Sequence, residues 1–403
     1  MRNGKSILFL TTVNLSANPR LVKEIDLAIH NGYQVSVILF RLGNWGDEND
    51  LQLMAQYRIV RFMRLSALRR PFGMWLLSSI LERVSRVLCR FSELPELHAM
   101  AIEKRYILLR RAVIHLNGNY DWVIAHNPAA FHPALLAARR FGARFGMDVE
   151  DYHPAETQLP HRAHSLRTVM KACLAEADYA SYAAPLIREA SDRDISIPRG
   201  TGFVVLNAFP KAEFPKPDSI LTGPLRLVWF SQHIHVGRGL EMVLPVVSRY
   251  ATTVELHLYG QLNRSFSDRH ISGIPNVHLH GALPQHELHS RLGQYDIGLA
   301  VDVLSDANRD LVVTNKIMAY LQAGLYLAVT ETRAQQLLLA EFPKHGSLFA
   351  PSEVHFSELL ETLIAAKEDI RQSRASRHEA VLTVNWSTES TKLLNVWEFG
   401  HQA

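Results

Sequence analysis

Short apolar runs, each followed by a loop and an amphipathic helix, recur along the whole chain, and this alternation most constrains the fold. "SILFLTT" (6–12), "YQVSVILF" (33–40), "DWVIAHN" (121–127), "FGMDVED" (145–151), "ADYASYAA" (177–184) and "GFVVLNAFP" (202–210) read as strands. After a proline-rich stretch the pattern restarts with "LRLVWFS" (225–231), "TVELHLYG" (253–260), "NVHLHGAL" (276–283), "YDIGLAVDV" (295–303), "GLYLAVTET" (324–332) and "GSLFA" (346–350). Strands alternating with helical patterns predict parallel sheets in an α/β architecture. Asn18-Pro19 predicts a helix start, with Asn as N-cap, and Leu21, Ile25, Ala28 and Ile29 share the inward face of that helix until Gly32 stops it.

The interruption, "NAFPKAEFPKPDSILTGPL" (207–225), holds four prolines and no periodicity, so it is expected to be an interdomain linker. A chain of 403 residues exceeds what one core usually supports. The expected division is a first domain over 1–212, with a C-terminal helix at 387–403 packing back on it, and a second over 222–384. In open α/β sheets, ligands collect at the carboxyl ends of strands. Two such domains would turn those ends toward one cleft.

Two cysteines, Cys89 and Cys173, make no disulfide framework and match no zinc spacing, which fits a reducing cytoplasm. The first twenty residues read as a strand rather than a signal peptide, and no run of about 18 apolar residues exists to span a membrane. Residues 61–90 carry seven arginines against the single acid Glu82, interleaved with Phe62, Phe72, Trp75, Leu76, Leu77 and Ile80. Such a basic amphipathic segment suits an anionic membrane surface, and equally a core helix with a solvated basic face. Nucleic acid is not expected as a partner, because the rest of the chain is not basic.

Candidate chemistry gathers at strand ends. Arg238 lies between Gly237 and Gly239 in "HVGRGLEMVL", just after a strand and at a helix start, where free amides plus a cation suit a diphosphate. Lys316, next to Asn315, opens the helix after the strand near residue 300. Two cations there could neutralise a nucleotide diphosphate leaving group. In the first half, His126 ends one strand and Asp148, Glu150 and His153 follow the next, without a metal-ligand spacing.

In this order, "NPRLVKEIDLAIHNGYQVSVI", "DWVIAHN", "FGMDVEDYHPAE", "VVLNAFP", "GRGLEMVL", "NVHLHGALPQHELHSRLGQYDIGLAV" and "NKIMAYLQAGLYLAV" resemble a bacterial family 4 glycosyltransferase of GT-B fold, of the kind encoded in surface-polysaccharide gene clusters. The resemblance implies two Rossmann-like domains facing a cleft, with acceptor on the first and nucleotide-sugar donor on the second, and a retaining transfer. It places Arg238 and Lys316 at the donor phosphates and His126 beside the transferred sugar as the catalytic set. Gly237, Asn315, Ala319 and Gly324 complete the donor side, while Arg20, Asp148, Glu150 and His153 fall on the acceptor side. No metal and no cofactor beyond the nucleotide diphosphate sugar is expected. The acceptor would be a glycan or lipid-linked molecule, and the protein would be cytoplasmic, peripheral on the inner membrane.

The chain departs from the family pattern in three respects. Its paired acids would fall at 311 and 319, where this chain has Leu311 and Ala319. A second phosphate-binding arginine is replaced by Gln232, and the loop "TTVNLSAN" lacks glycines that would admit a close ligand. These departures keep a second reading open, a non-catalytic GT-B-like protein that binds a glycan or a partner transferase. A sugar-phosphate epimerase of the same fold is a third.

Overall fold

The computed structural model describes residues 5–44, 46–195, 202–217, 222–303 and 306–400. The chain forms two compact units, Met1–Val205 with Ser390–Ala403, and Leu206–Glu389.

The first unit is built on seven parallel strands: β1 (Ser6–Thr11), β2 (Gln34–Arg41), β3 (Arg61–Ser66), β4 (Trp122–His126), β5 (Arg144–Val149), β6 (Tyr179–Tyr182) and β7 (Gly202–Val204). Their order is β3-β2-β1-β4-β5-β6-β7. The chain thus winds outward from β1 in one direction, then returns to the middle and winds outward in the other. Helices cover both faces, which explains why β1 and β4 read as unbroken apolar runs and are buried along almost their whole length. The helix Pro19–His30 begins as its sequence requires, with the Asn18 side chain accepting from Leu21 N at 3.0 Å.

The second unit repeats the plan with β8 (Leu225–Ile234), β9 (Val254–Leu262), β10 (Val277–His280), β11 (Ile297–Ala300), β12 (Tyr326–Thr330) and β13 (Gly346–Phe349), ordered β10-β9-β8-β11-β12-β13. Its core joins Leu227 and Trp229 of β8 to Leu240 and Val247 of the following helix and to Phe356 and Leu360 of the helix Glu353–Ala365.

The proline-rich stretch is not the expected linker over its described part. The change of unit comes at Val205–Leu206, ahead of it. Phe209 and Phe214 are buried, and their rings flank His289 at 4.4 and 4.9 Å. The Gln322 side chain accepts from Phe209 N at 2.8 Å and donates to Phe209 O at 3.0 Å. Prolines here remove backbone donors that no ladder needs, and the aromatic side chains anchor the segment to the second unit. Residues 218–221 of the stretch, and 401–403 of the C-terminal segment, lie outside the described residues.

Candidate functional site

Each sheet has one topological switch point, where neighbouring strands leave in opposite directions and a crevice opens at their carboxyl ends. In the second unit that point lies between β8 and β11. The loop after β8 carries Gly237, Arg238 and Gly239, and the segment after β11 carries Asp302 and then the helix Asn315–Gln322 with Lys316 on its first turn. The two predicted cations are therefore brought to one place. Burial makes Lys316 easier to deprotonate, Asp302 opposes that, and Arg238 and Arg309 add to it more weakly. The Lys316 ammonium sits 5.5 Å from the centre of the Trp229 ring, whose buried indole N–H has no hydrogen-bond partner. Arg238 meets only His235 Nε2, at 3.4 Å, among its described hydrogen bonds. Neither cation forms a salt bridge among the described residues, although Asp302 acts on Lys316 and Glu241 accepts from Gly237 N, so the pair keeps charge to offer an anion.

The glycines beside Arg238 have a geometric reason. Both adopt the left-handed conformation, with φ of 81° at Gly237 and 79° at Gly239. A Cβ on Gly239 would also come within 2.4 Å of Val301 Cγ1. Asp302, missed by sequence reading, is held by the Gln335 amide at 3.0 Å while its backbone N–H donates to Thr330 Oγ1 at 2.9 Å. The strand end of "GLAVD" was the signal that could have found it. Asp310, the acid nearest the expected position 311, pairs instead with Arg333.

Two residues expected on the donor side, Gly324 and Ala319, fall at closely packed positions. Gly324 lies at the amino end of β12, away from the carboxyl edge that bears Arg238. Its φ of 70° and the tight approach of His378, 2.8 Å from where a Cβ would stand, make it a packing glycine against the helix Arg374–Ala380. Ala319 is wholly enclosed, with 0% exposure, so it offers no surface to a ribose. Ala319→Glu is accordingly expected to overpack this position and bury a carboxylate. It should lower stability by at least about 1–3 kcal/mol in a thermal or urea titration without strengthening nucleotide binding. A wild-type melting curve combined with tighter nucleotide binding would refute the enclosure.

In the first unit the switch point lies between β1 and β4, where Thr11 stands opposite His126. Asn127, the one non-glycine residue with positive φ (75°) among the described residues, follows at once and accepts from Thr11 Oγ1 at 2.6 Å. Beneath this edge is a charge cluster. Arg20 donates to Asp148 Oδ1 at 2.7 Å and to Val205 O at 2.6 Å. His126 faces Glu24 Oε2 and Asp148 Oδ2, each at 3.3 Å, and Ser181 Oγ donates to Asp148 Oδ1 at 2.7 Å.

Arg20, Glu24, His126 and Asp148 are all 0–1% exposed. His126, Arg20 and Asp148, expected at the sugar or acceptor, thus lie enclosed among one another in this structure. The helix Pro19–His30 turns Arg20 and Glu24 inward, four residues apart, and they enclose the ring. Burial opposes charging of His126, but Glu24 and Asp148 outweigh it and hold its pKa up to about 10. Burial likewise opposes ionisation of Asp148, and Arg20 and His126 together pull its pKa below the ordinary value. The cluster is balanced, with two cations and two carboxylates. Glu150 and His153 lie at its margin. Loss of water, then the Asp148 charge, pushes Glu150 up to about 7. His153 Nδ1 meets Glu156 Oε2 at 2.8 Å.

Asp192-Arg193-Asp194 has the spacing of a metal-binding acid pair, but these residues sit on the helix Pro185–Ile195. There Asp192 faces Arg188 at 3.5 Å and Asp194 accepts from Tyr152 at 2.7 Å.

The basic stretch resolves into β3 and the helix Phe72–Leu88. The helix is turned opposite to a core helix: Ser78 and Ser85 are its buried residues, while Leu76, Leu77, Ile80, Val84 and Val87 are exposed at 40–54%. Phe91 and Leu94 prolong the apolar strip. Arg69 and Lys104 flank the Trp75 ring at 5.4 and 5.0 Å. Beside it is a pocket of about 360 Å³, lined by Met63, Leu65, Pro71, Met74, Trp75 and Leu108, with Lys104, Arg105 and Arg111. No described helix is long and apolar enough to cross a membrane.

No family profile and no curated protein sequence matches the chain. Solved structures do match it, along nearly its whole length. HepE from Anabaena, in complex with UDP, superposes with a TM-score of 0.68 at 13% identity, over 97% of this chain and 99% of that one. A glycosyltransferase from Rickettsia africae gives 0.64 at 10% identity, over 98% of each chain. Sucrose-phosphate synthase from Thermosynechococcus elongatus gives 0.64 at 12%, again over 98% of each. The fold is GT-B. At these identities the likeness speaks for the architecture of the two units, and the chemistry has to be argued from the residues.

Proposed function

We propose that this GT-B chain is a glycosyltransferase that moves a sugar from a nucleotide diphosphate donor to a glycan or lipid-linked acceptor. The second unit would hold the donor and the first the acceptor. The observation that carries the reading is that Arg238 and Lys316 follow the two strands, β8 and β11, that flank the switch point of the second sheet. In glycosyl transfer, charge develops on the departing diphosphate, and preorganised cations stabilise it where it forms. Because Arg238 and Lys316 are half-buried in a glycine-lined loop and a helix start, little reorganisation is needed to receive that charge. A retaining course, with the leaving phosphate serving as its own base, needs no protein nucleophile. That agrees with the enclosure of His126, which in this reading keeps the acceptor-side strand ends in place without touching sugar. Thr11 and the strained Asn127 stand nearest the edge of that sheet.

Incubation with a panel of nucleotide sugars, scored by release of nucleoside diphosphate in the presence of glycan or lipid-linked acceptors, tests the reaction. Diphosphate release that depends on acceptor supports it. Nucleotide-induced stabilisation without turnover would favour the non-catalytic alternative, toward which Leu311 and the enclosed Ala319 point. Conversion of the free nucleotide sugar would favour an epimerase.

The same reading places the enzyme at an anionic bilayer through the helix Phe72–Leu88. Its apolar side chains would enter the acyl boundary while Arg69, Arg83 and Arg90 meet lipid phosphates. Vesicles containing phosphatidylglycerol should co-sediment the wild type, and the effect should weaken with salt. Leu76→Glu/Ile80→Glu should abolish binding. Equal sedimentation of wild type and variant would exclude this surface, and concentration-dependent dimers lost in the variant would assign it to self-association.

A further inference from the structure

Three histidines and a glutamate crowd one face of the second sheet, on β9 and the edge strand β10. Residues two apart on a strand share a face, so Glu255, His257 and Tyr259 project together. Register sets His278 opposite His257 and His280 opposite Tyr259, which puts both histidines on that same face. The rings are in contact: His257 stacks on His278 with centroids 4.6 Å apart and on His280 at 5.3 Å.

The hydrogen bonding is incomplete in a specific way. His257 Nδ1 lies 3.0 Å from His280 Nε2, a bond that fixes the ring. Its other nitrogen, Nε2, is buried, has no hydrogen-bond partner, and points toward Glu255 Oε2 at 3.6 Å. Glu255 is shared with Arg226 Nε at 3.4 Å. A buried imidazole nitrogen left without a partner costs free energy unless something else occupies its lone pair. One donor atom each from Glu255, His257 and His278 lies within 4.8 Å of the others. Ligand atoms on a tetrahedral zinc ion stand about 3.4 Å apart, given bonds of about 2.0–2.1 Å, so small side-chain rotations would bring the three onto one ion.

We propose that Glu255, His257 and His278 form a binding site for a divalent transition-metal ion, with zinc the best match to a set of two imidazoles and one carboxylate. His280 is the positioning residue: by accepting from His257 Nδ1–H it leaves Nε2 free to ligate, the usual outer partner of a metal-bound histidine. A fourth position stays open to water. Arg226 has to release or share Glu255 when the ion arrives. The ion would clip the edge strand β10 to β9 from the side, across a pairing only four residues long. None of these residues belongs to the proposed donor site, so this inference stands or falls independently of the transferase reading.

The test is calorimetric titration of EDTA-stripped full-length protein with zinc chloride, with cobalt(II) absorption as a second readout of coordination. One site per chain, and a visible cobalt band from four- or five-coordinate geometry, are expected in the wild type. His257→Ala and His278→Ala should each weaken zinc binding at least tenfold with an unchanged circular-dichroism spectrum. His355→Ala, at an exposed histidine elsewhere in the unit, should bind as the wild type does. His278 is partly exposed on the edge strand, so its replacement tests the site even if the His257 variant folds poorly. No zinc uptake by the wild type, or equal affinity in the His257→Ala/His278→Ala double variant, would overturn the site.

Discussion

Arg20→Met should destabilise the first unit by about 3–5 kcal/mol, the cost typical of removing one partner from a buried ion pair. Arg20 is fully enclosed, and its guanidinium neutralises Asp148 at 2.7 Å while facing Glu24 at 3.9 Å. Without it, Asp148 and Glu24 lose the guanidinium that faces both of them and keep His126 as the cation between them. Arg20→Met/Glu24→Gln restores one cation to one carboxylate, so the double variant should unfold at a higher urea concentration than Arg20→Met alone. A loss below about 1 kcal/mol for the single variant would mean that the four groups do not act as one network.

The same cluster predicts a sign for pH. His126 titrates near 10 in the folded protein against about 6.5 unfolded, so its contribution is complete below about pH 6.5 and fades as pH rises through 10. Lys23 acts the opposite way. Burial first, then Arg20, lowers its pKa to about 7, and the resulting penalty is relieved as pH rises above that value. The informative quantity is therefore the stability difference between wild type and His126→Asn, in which the Lys23 contribution largely cancels. It should be greatest below about pH 6.5 and shrink toward pH 10.

Arg238→Ala and Lys316→Ala should each lower the rate of sugar transfer by about 10²–10³-fold, the range seen when one preorganised stabilising group is removed. Their effect on ligand binding should depend on the number of phosphates. Nucleoside diphosphates that bind the wild type should bind the variants more weakly, while the matching monophosphates should be affected less, because the cations are assigned to the diphosphate. Lys316 has a further signature: burial lowers its pKa and Asp302 opposes that shift, so an arriving diphosphate should raise it and binding should take up protons near the upper end of its titration. If a nucleoside diphosphate that stabilises the wild type protects both variants against thermal unfolding equally well, the phosphate assignment fails.

Much of the architecture was legible because both sheets are buried and parallel. Strands such as "ILFL" and "WVIA" must be continuously apolar, and the Asn18-Pro19 start and Gly32 stop are local chemistry that the chain carries in itself. β3 was not read as a strand because "RFMRLS" breaks its apolar run with Arg61, Arg64 and Ser66 and sits at a sheet edge, partly open to water. The cations at the β8/β11 edge were visible through their glycines. The burial of Arg20 and Glu24 was not, since charged residues usually face solvent and only the partners brought by β4 and β5 make their enclosure tolerable. The helix Phe72–Leu88 shows the same limit from the other side. Its amphipathic pattern was plain, but which face turns inward is decided by the neighbouring helix Pro95–Ile102, not by the pattern.

The C-terminal helix Trp386–Phe399 brings Trp397 into the first unit, where it is fully buried. There it lies edge-on to Phe9 and Tyr33, donates from Nε1 to Tyr179 OH at 3.1 Å, and accepts from Trp122 Nε1 through its carbonyl at 3.1 Å. During synthesis, residues 1–205 emerge long before this indole does. At about 5–20 residues per second, the ribosome needs on the order of 10–40 s to reach it. Throughout that interval the first sheet is assembled around an aromatic slot with no occupant, and Trp122 has an indole N–H awaiting its acceptor. The first unit's core is complete only when Trp397 is delivered, so part of its stability is acquired after translation of the second unit and not before it.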